Sequence, residues 1–228
     1  MLKVMFCILL ACQIVFWRYT KHIVPMFTIT PNPPSKSEVQ LLSMGDEQFL
    51  YRKLAFTLQN AGNKLGHYSS MQEYDYSKLY NWFVKLSDLD LKSRYVPDIA
   101  TRYYAISRNE ADVRKICEFL MYDYGVHGNA HWESLFNAAY LYYSKAKDAS
   151  KVIELSKQLI LLNDVPLLMK YFGIGANFQN HQYCAVLELA RFFDYKHEKD
   201  KLGSGDINLR LLDRMRDVIS QSKVLCRR

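Results

Sequence analysis

An apolar triplet returns four times along this chain, and it constrains the fold more than any other feature. Leu79, Trp82 and Leu86 are followed 34 residues later by Val113, Ile116 and Leu120. A step of 39 brings Val152, Leu155 and Leu159, and a further 34 brings Val186, Leu189 and Phe193. Within each triplet the offsets are i, i+3 and i+7, one stripe of an α-helix. A repeat near 34 residues has the length of a helix-turn-helix unit, and such units stack because none buries its apolar face alone. The body is therefore expected to be all-α, a short α-solenoid of helix pairs.

The chain's 228 residues suit one domain plus an appendage, and 50% hydrophobic content is ample for a core. The net charge of +7 is unevenly placed. Residues 1–21 carry three basic and no acidic side chains, and residues 195–228 carry nine basic against five acidic. The middle is balanced, 18 against 18. Basic ends on a neutral body suit an anionic lipid surface better than a nucleic-acid groove, and no basic-aromatic nucleic-acid motif is present. The five cysteines, Cys7, Cys12, Cys117, Cys184 and Cys226, form no CxxC pair, which argues against a zinc or redox motif. Cys117 and Cys184 are the pair best placed to bridge within the body, with buried free thiols the favoured reading.

Residues 1–21 read as an N-terminal signal-anchor. Val4 to Trp17 is apolar except for Gln13, with Lys3 before it and Arg18 and Lys21 after it. Fourteen residues rise about 21 Å, short of a hydrocarbon core of roughly 30 Å. That is also the length of a cleavable signal's apolar stretch, but no small-x-small cleavage pattern follows. Stretched to Leu2–Tyr19, the segment gains Trp17 and Tyr19 for the headgroup boundary and Arg18 to snorkel there. Leu9-Leu10-Ala11-Cys12 also resembles a lipobox, which makes Cys12 lipidation the minor alternative. Lys3 and the α-amino group balance Arg18 and Lys21, so charge does not orient the anchor. A bacterial inner-membrane protein with a periplasmic body is the expected placement.

Residues 22–36 form a linker in which Pro31, Pro33 and Pro34 favour extended geometry, a stiff spacer. Residues 37–202 carry the helical repeats. Ser37 is expected to cap the first helix with Gln40 at capping-box spacing. That helix runs from Glu38 to Asn60 with Leu50, Leu54 and Leu58 on one stripe, and Ala61 to Tyr74 forms a long loop. The next helix spans about Tyr76–Asp90. Ala100, Ala139 and Gly173 occupy equivalent positions, where a small side chain lets paired helices approach. Asn180 to Lys201 completes the last unit. Residues 203–228 hold a breaker, Gly203-Ser204-Gly205-Asp206, and a capping helix over Ile207–Val224 with a basic tail.

Ala100, Tyr103 and Ile116 are spaced much as the tetratricopeptide repeat spaces its small, aromatic and apolar marks. Leu89-Asp90 matches that repeat's Leu-Asp-Pro, although Leu91 replaces the proline, and Asp112 stands where a small residue is usual. The match is therefore degenerate. More closely, Gly45 to Arg52, Leu58 to Gly62 and Tyr74-Asp75-Tyr76 resemble an uncharacterised bacterial family of such proteins behind an N-terminal anchor. The resemblance covers roughly residues 40–195. It implies a right-handed solenoid of tetratricopeptide-like helix pairs, and it supplies no catalytic residues.

Two sets of residues stand out as candidate sites. Arg102, Tyr103, Tyr104, Tyr142 and Tyr143 recur with the repeat; one tyrosine of each pair belongs to the core, and the other can face a groove lined by the first helices, where tandem repeats hold peptides. Asp46, Gln48, Arg52 and Gln59 form a polar stripe on the first helix that could line a pocket or bind a carboxylate through Arg52. His127 and His131, four apart, could meet on one helix face, but Gly125 and Gly128 make this stretch a loop entering a helix. Two ligands also fall short of a metal site, so none is assigned. No Ser/His/Asp order, phosphate loop or paired acidic motif appears, and no cofactor is implied. The expected function is a membrane-tethered adaptor for another protein or peptide. The rival is an envelope enzyme or ligand-binding protein that uses the polar stripe.

Overall fold

Eleven of the twelve triplet residues are at most 7% exposed, and the twelfth, Phe193, is half-buried. The computed structural model describes residues 2–20, 29–64, 67–193 and 208–227. Its leading helix, α1 (Leu2–Thr20), contains the apolar run, and every described side chain on it is exposed. Among the described residues, no helix is long and apolar enough to cross a membrane.

The body begins earlier than expected. Ser35, not Ser37, caps α2 (Lys36–Ser43): its hydroxyl accepts from Glu38 N–H, and the Glu38 carboxylate accepts from Ser35 N–H. The expected continuous helix to Asn60 breaks at Met44 and Gly45, whose φ angles of 49° and 91° no helix tolerates. Asp46 then caps α3 (Glu47–Gln59) by accepting from Phe49 N–H at 2.8 Å. The linker is not wholly a free spacer. Thr30 is buried and accepts from Asp75 N–H, and the Pro31 carbonyl accepts from Trp82 Nε1 at 2.8 Å. Lys21, the last residue of the expected anchor, and residues 22–28 of the linker lie outside the described residues. The loop after α3 holds a two-residue antiparallel hairpin, β1 (Asn63–Lys64) against β2 (His67–Tyr68), with Asn63 opposite Tyr68.

Six helices follow in close succession: α4 (Tyr76–Leu89), α5 (Tyr95–Arg102), α6 (Glu110–His127), α7 (Trp132–Ser144), α8 (Ala149–Leu161) and α9 (Leu167–Gln179). After them come α10 (Tyr183–Ala190) and α11 (Asn208–Leu225). From α2 to α11 each helix packs on its neighbour in sequence, α4 also packs on α6, and α11 also packs on α9. Gly125 does not open a loop: α6 runs unbroken to His127 and ends at Gly128, where φ is 61°. At Gly173 a Cβ would stand 2.1 Å from Ser156 Oγ, so α8 and α9 approach where only hydrogen fits.

The tyrosines tie helices together through their hydroxyls. Tyr104, fully buried, donates to the Leu58 carbonyl at 2.7 Å, and its own carbonyl accepts from Tyr76 at 2.8 Å. Desolvation pushes the Tyr76 hydroxyl up to about 12, so it remains a donor. At the far end, Cys184 is bonded to Cys226, with Cα atoms 5.1 Å apart. The favoured reading of buried free thiols holds for Cys117 on α6 and fails for Cys184, whose partner is Cys226 in the tail and not the alternative, Cys117. The Gly203–Asp206 breaker and Lys196, Lys199 and Lys201 lie outside the described residues.

Candidate functional site

Helix α7 shares a cleft with α5 on one side and ring contacts with α9 on the other, and the candidate tyrosines divide between core and surface there. Tyr104 and Tyr142 point into the core, with 0% and 5% exposure, and are withdrawn as partner contacts. Tyr103 is half-buried, its ring edge-on to Tyr104 at 5.0 Å. Tyr143 lies on α7 against Phe172 of α9, ring centroids 5.7 Å apart, with its hydroxyl donating to Gln179 Oε1 at 3.4 Å. Arg102 is exposed and pairs with Asp98 one turn away at 3.6 Å.

Three aromatic residues missed in the sequence complete this face. Phe136 and Tyr140 share a stripe with Tyr143 at i, i+4 and i+7, and both rings contact Phe172, at 5.4 and 6.0 Å. Tyr140 is 48% exposed and Leu168 of α9 is 56% exposed. The spacing was readable, but the stripe is masked by Leu135, Ala138, Ala139 and Tyr142, which form the buried side of the same helix. Toward α5 the face turns polar. A cleft of about 210 Å³ is lined by Arg94, Asp98, Arg102, Glu133, Asn137 and His131, among others. Arg94 bridges it by donating to the Glu133 carboxylate and, at 2.7 Å, to the Ala130 carbonyl.

The polar stripe of the first helix does not converge. Asp46 is the N-cap of α3, and Gln48 is exposed one turn away from the rest. Arg52 lines a cleft of about 450 Å³ with Tyr51, Phe56, Asp90, Ser93 and Tyr95. Gln59 reaches its rim by accepting from the Tyr95 hydroxyl at 2.5 Å. Two of the four residues therefore meet at one groove, between α3 and α5.

The two histidines do meet, together with a carboxylate that sequence reasoning passed over. Asp123 is 0% exposed on α6, one turn before His127, and its Oδ2 accepts from Ser134 Oγ at 2.6 Å and lies 2.9 Å from His131 Nδ1. Its Oδ1 accepts from Ser87 Oγ at 2.9 Å and lies 3.5 Å from His127 Nε2. The imidazole ring centroids lie 4.4 Å apart, with the planes tilted by 42°. Desolvation is the larger influence on His127 and lowers its pKa, outweighing the attraction of Asp123. Ser87 sits 3.0 Å from His127 Nε2, but Asp123 crowds the same nitrogen and Ser87 is buried. This is not the arrangement of an activated nucleophile, which needs the base oriented through its other nitrogen. Asp123, His127 and His131 are the described residues able to hold a metal, with one donor atom from each lying within 4.8 Å of the others. Compared with protein-family models, with curated proteins and with solved structures, the chain matches none.

Proposed function

We propose that this chain is a membrane-tethered adaptor: a right-handed, tetratricopeptide-like solenoid that binds another protein or an extended peptide on the face of α5, α7 and α9. The observation that carries the reading is the aromatic strip Phe136, Tyr140, Tyr143 and Phe172, which continues into the polar cleft at Arg94 and Arg102. Rigid aromatic and Arg anchors beside a polar rim are the composition of protein-binding hot spots. The exposed apolar surface of α1 supports association with lipid, with Trp17, Arg18 and Tyr19 at the headgroup boundary. The Cys184–Cys226 disulfide supports an oxidising compartment for the body, which favours the extracytoplasmic side.

A crosslinking pull-down from membranes tests the reading when it is paired with a thermal melt. Tyr140→Ala and Phe172→Ala are expected to weaken partner capture by about 10-fold or more, the effect of losing a hot-spot side chain, with Tyr140→Ala leaving the melt nearly unchanged. Full capture by both variants would sink the adaptor face. The rival reading, a ligand-binding protein, draws on the Arg52 cleft, and a loss of capture on Arg52→Ala alone would favour it.

A further inference from the structure

We infer that Asp123, His127 and His131 form a binding site for one divalent transition-metal ion of the zinc class, independent of the aromatic face. The three residues stand at i, i+4 and i+8. His127 is the last residue of α6, and the turn at Gly128–His131 carries the second imidazole back over the first. Tetrahedral bonds of about 2.0–2.1 Å place ligand atoms about 3.3 Å apart. Asp123 Oδ1 lies 3.5 Å from His127 Nε2 and Oδ2 lies 2.9 Å from His131 Nδ1, and one donor atom from each residue lies within 4.8 Å of the other two. Burial of the Asp123, His127 and His131 side chains is 95% or more, so the donor set is held by packing.

The charge balance points the same way. Asp123 is fully buried, and its neighbours within bonding distance are two serines and the two imidazoles, with no Lys or Arg among the described residues. A buried carboxylate needs a compensating charge, and a divalent ion supplies it. The single Ser87 proton cannot serve both Asp123 Oδ1 and His127 Nε2, so without an ion Nε2 must carry a proton toward Ser87. An ion takes the place of that proton and of the one between His131 Nδ1 and Asp123. Each ring stays neutral by holding its hydrogen on the other nitrogen. Two nitrogens and one oxygen suit Zn²⁺ or Co²⁺, whereas Mg²⁺ and Ca²⁺ prefer oxygen alone. The cleft of Arg94, Arg102 and Glu133 reaches His131 and Ser134, which gives the site its route to solvent.

The test uses the full chain, untagged, in detergent, after chelator treatment. Co²⁺ is expected to bind at one ion per chain with the visible absorption of a tetrahedral nitrogen–oxygen site. Zn²⁺ should displace it and raise the melting temperature. His127→Gln and His131→Gln, checked for folding by circular dichroism, should weaken Co²⁺ by more than the 10–100-fold, roughly, that loss of an outer-shell partner costs. A folded wild-type chain that takes up no Co²⁺ and melts alike with and without Zn²⁺ overturns the proposal and leaves a proton-bridged His131–Asp123 pair. A cobalt band that survives in the folded His131→Gln chain also overturns it, as does a thiolate charge-transfer band, because each places the ion elsewhere. The wild-type measurement decides the matter even if both variants fail to fold.

Discussion

From α3 to α8 the buried side chains form one continuous cluster, reaching from Tyr51 to Val165 and including Phe83, Phe119 and Leu155. Around α9, α10 and α11 the second cluster holds, among the described residues, six buried side chains: Ile160, Ile174, Val186, Leu189, Met215 and Val218. The two ends also differ in what accompanies the apolar packing. The larger cluster carries tyrosine hydroxyl bonds between helices, such as Tyr104 to Leu58, whereas the smaller one has a disulfide from the start of α10 to the residue after α11. Helices at the end of a chain of packed neighbours have partners on one side only, which accounts for the smaller buried set among the described residues. A covalent link that confines the unfolded chain offsets that deficit where packing is thin.

Breaking the disulfide should give the largest effect. Closing a loop across a sequence separation of 42 removes chain entropy equivalent to about 4 kcal/mol. Cys226→Ser is therefore expected to raise amide hydrogen exchange across α9, α10 and α11 while α4 to α8 keep their protection. If protection falls equally along the whole body, the two clusters unfold as one unit and the contrast fails.

Core truncation comes next. Leu155 is 1% exposed in the large cluster and Leu189 is 0% exposed in the small one. Leu155→Ala should cost about 3 kcal/mol and Leu189→Ala about 2 kcal/mol, because an end unit relaxes more readily around a cavity. Denaturant titration of both variants measures the difference. A near-neutral Leu155→Ala would remove the triplet stripe from the core.

The parts legible in the sequence are those where one local period decides the outcome. The triplets, and the small residues Ala100, Ala139 and Gly173, report burial directly, because a helix face that must approach another shows it every three or four positions. The break at Met44–Gly45 was harder to read, since Leu41, Leu42 and Leu50 continue an apolar pattern across it and Met seldom adopts φ near 49°. The Cys184–Cys226 pair and the meeting of Asp123 with His131 depend on how α11 returns to α10, and on how a 3₁₀ turn folds back over α6. Distance along the chain does not encode either. Asp123 escapes a reading of the sequence, because nothing in its spacing distinguishes a buried carboxylate from a solvated one. The Tyr pairs were readable only as pairs: the choice of Tyr104 and Tyr142 as core members depends on helix rotation.

The smallest effect is at a helix cap, and it too separates the two ends. Asp148 begins α8 by accepting from Lys151 N–H at 3.2 Å, and it also accepts from Ser150 at 2.6 Å and from Arg114 of α6 at 2.9 Å. The Ser150 bond, followed by Arg114, holds its carboxyl down at about 2, below the ordinary 3.8. A carboxylate depressed in the folded state contributes stability above its unfolded pKa and loses it as pH falls through the folded value. The loss should therefore run from about pH 4 to about pH 2 and amount to about 1 kcal/mol, the usual worth of such a cap. Helix α9 starts at Pro166 with no side-chain cap, so it has no equivalent group to lose. Acid should thus loosen the start of α8 in the large cluster and narrow the difference in stability between the two ends. Asp148→Asn keeps an acceptor but does not titrate, so subtracting its stability from that of wild type across this window isolates the term. A flat difference between pH 4 and pH 2 would mean that Asp148 contributes no pH-linked stability, and that the acid sensitivity of the body arises elsewhere.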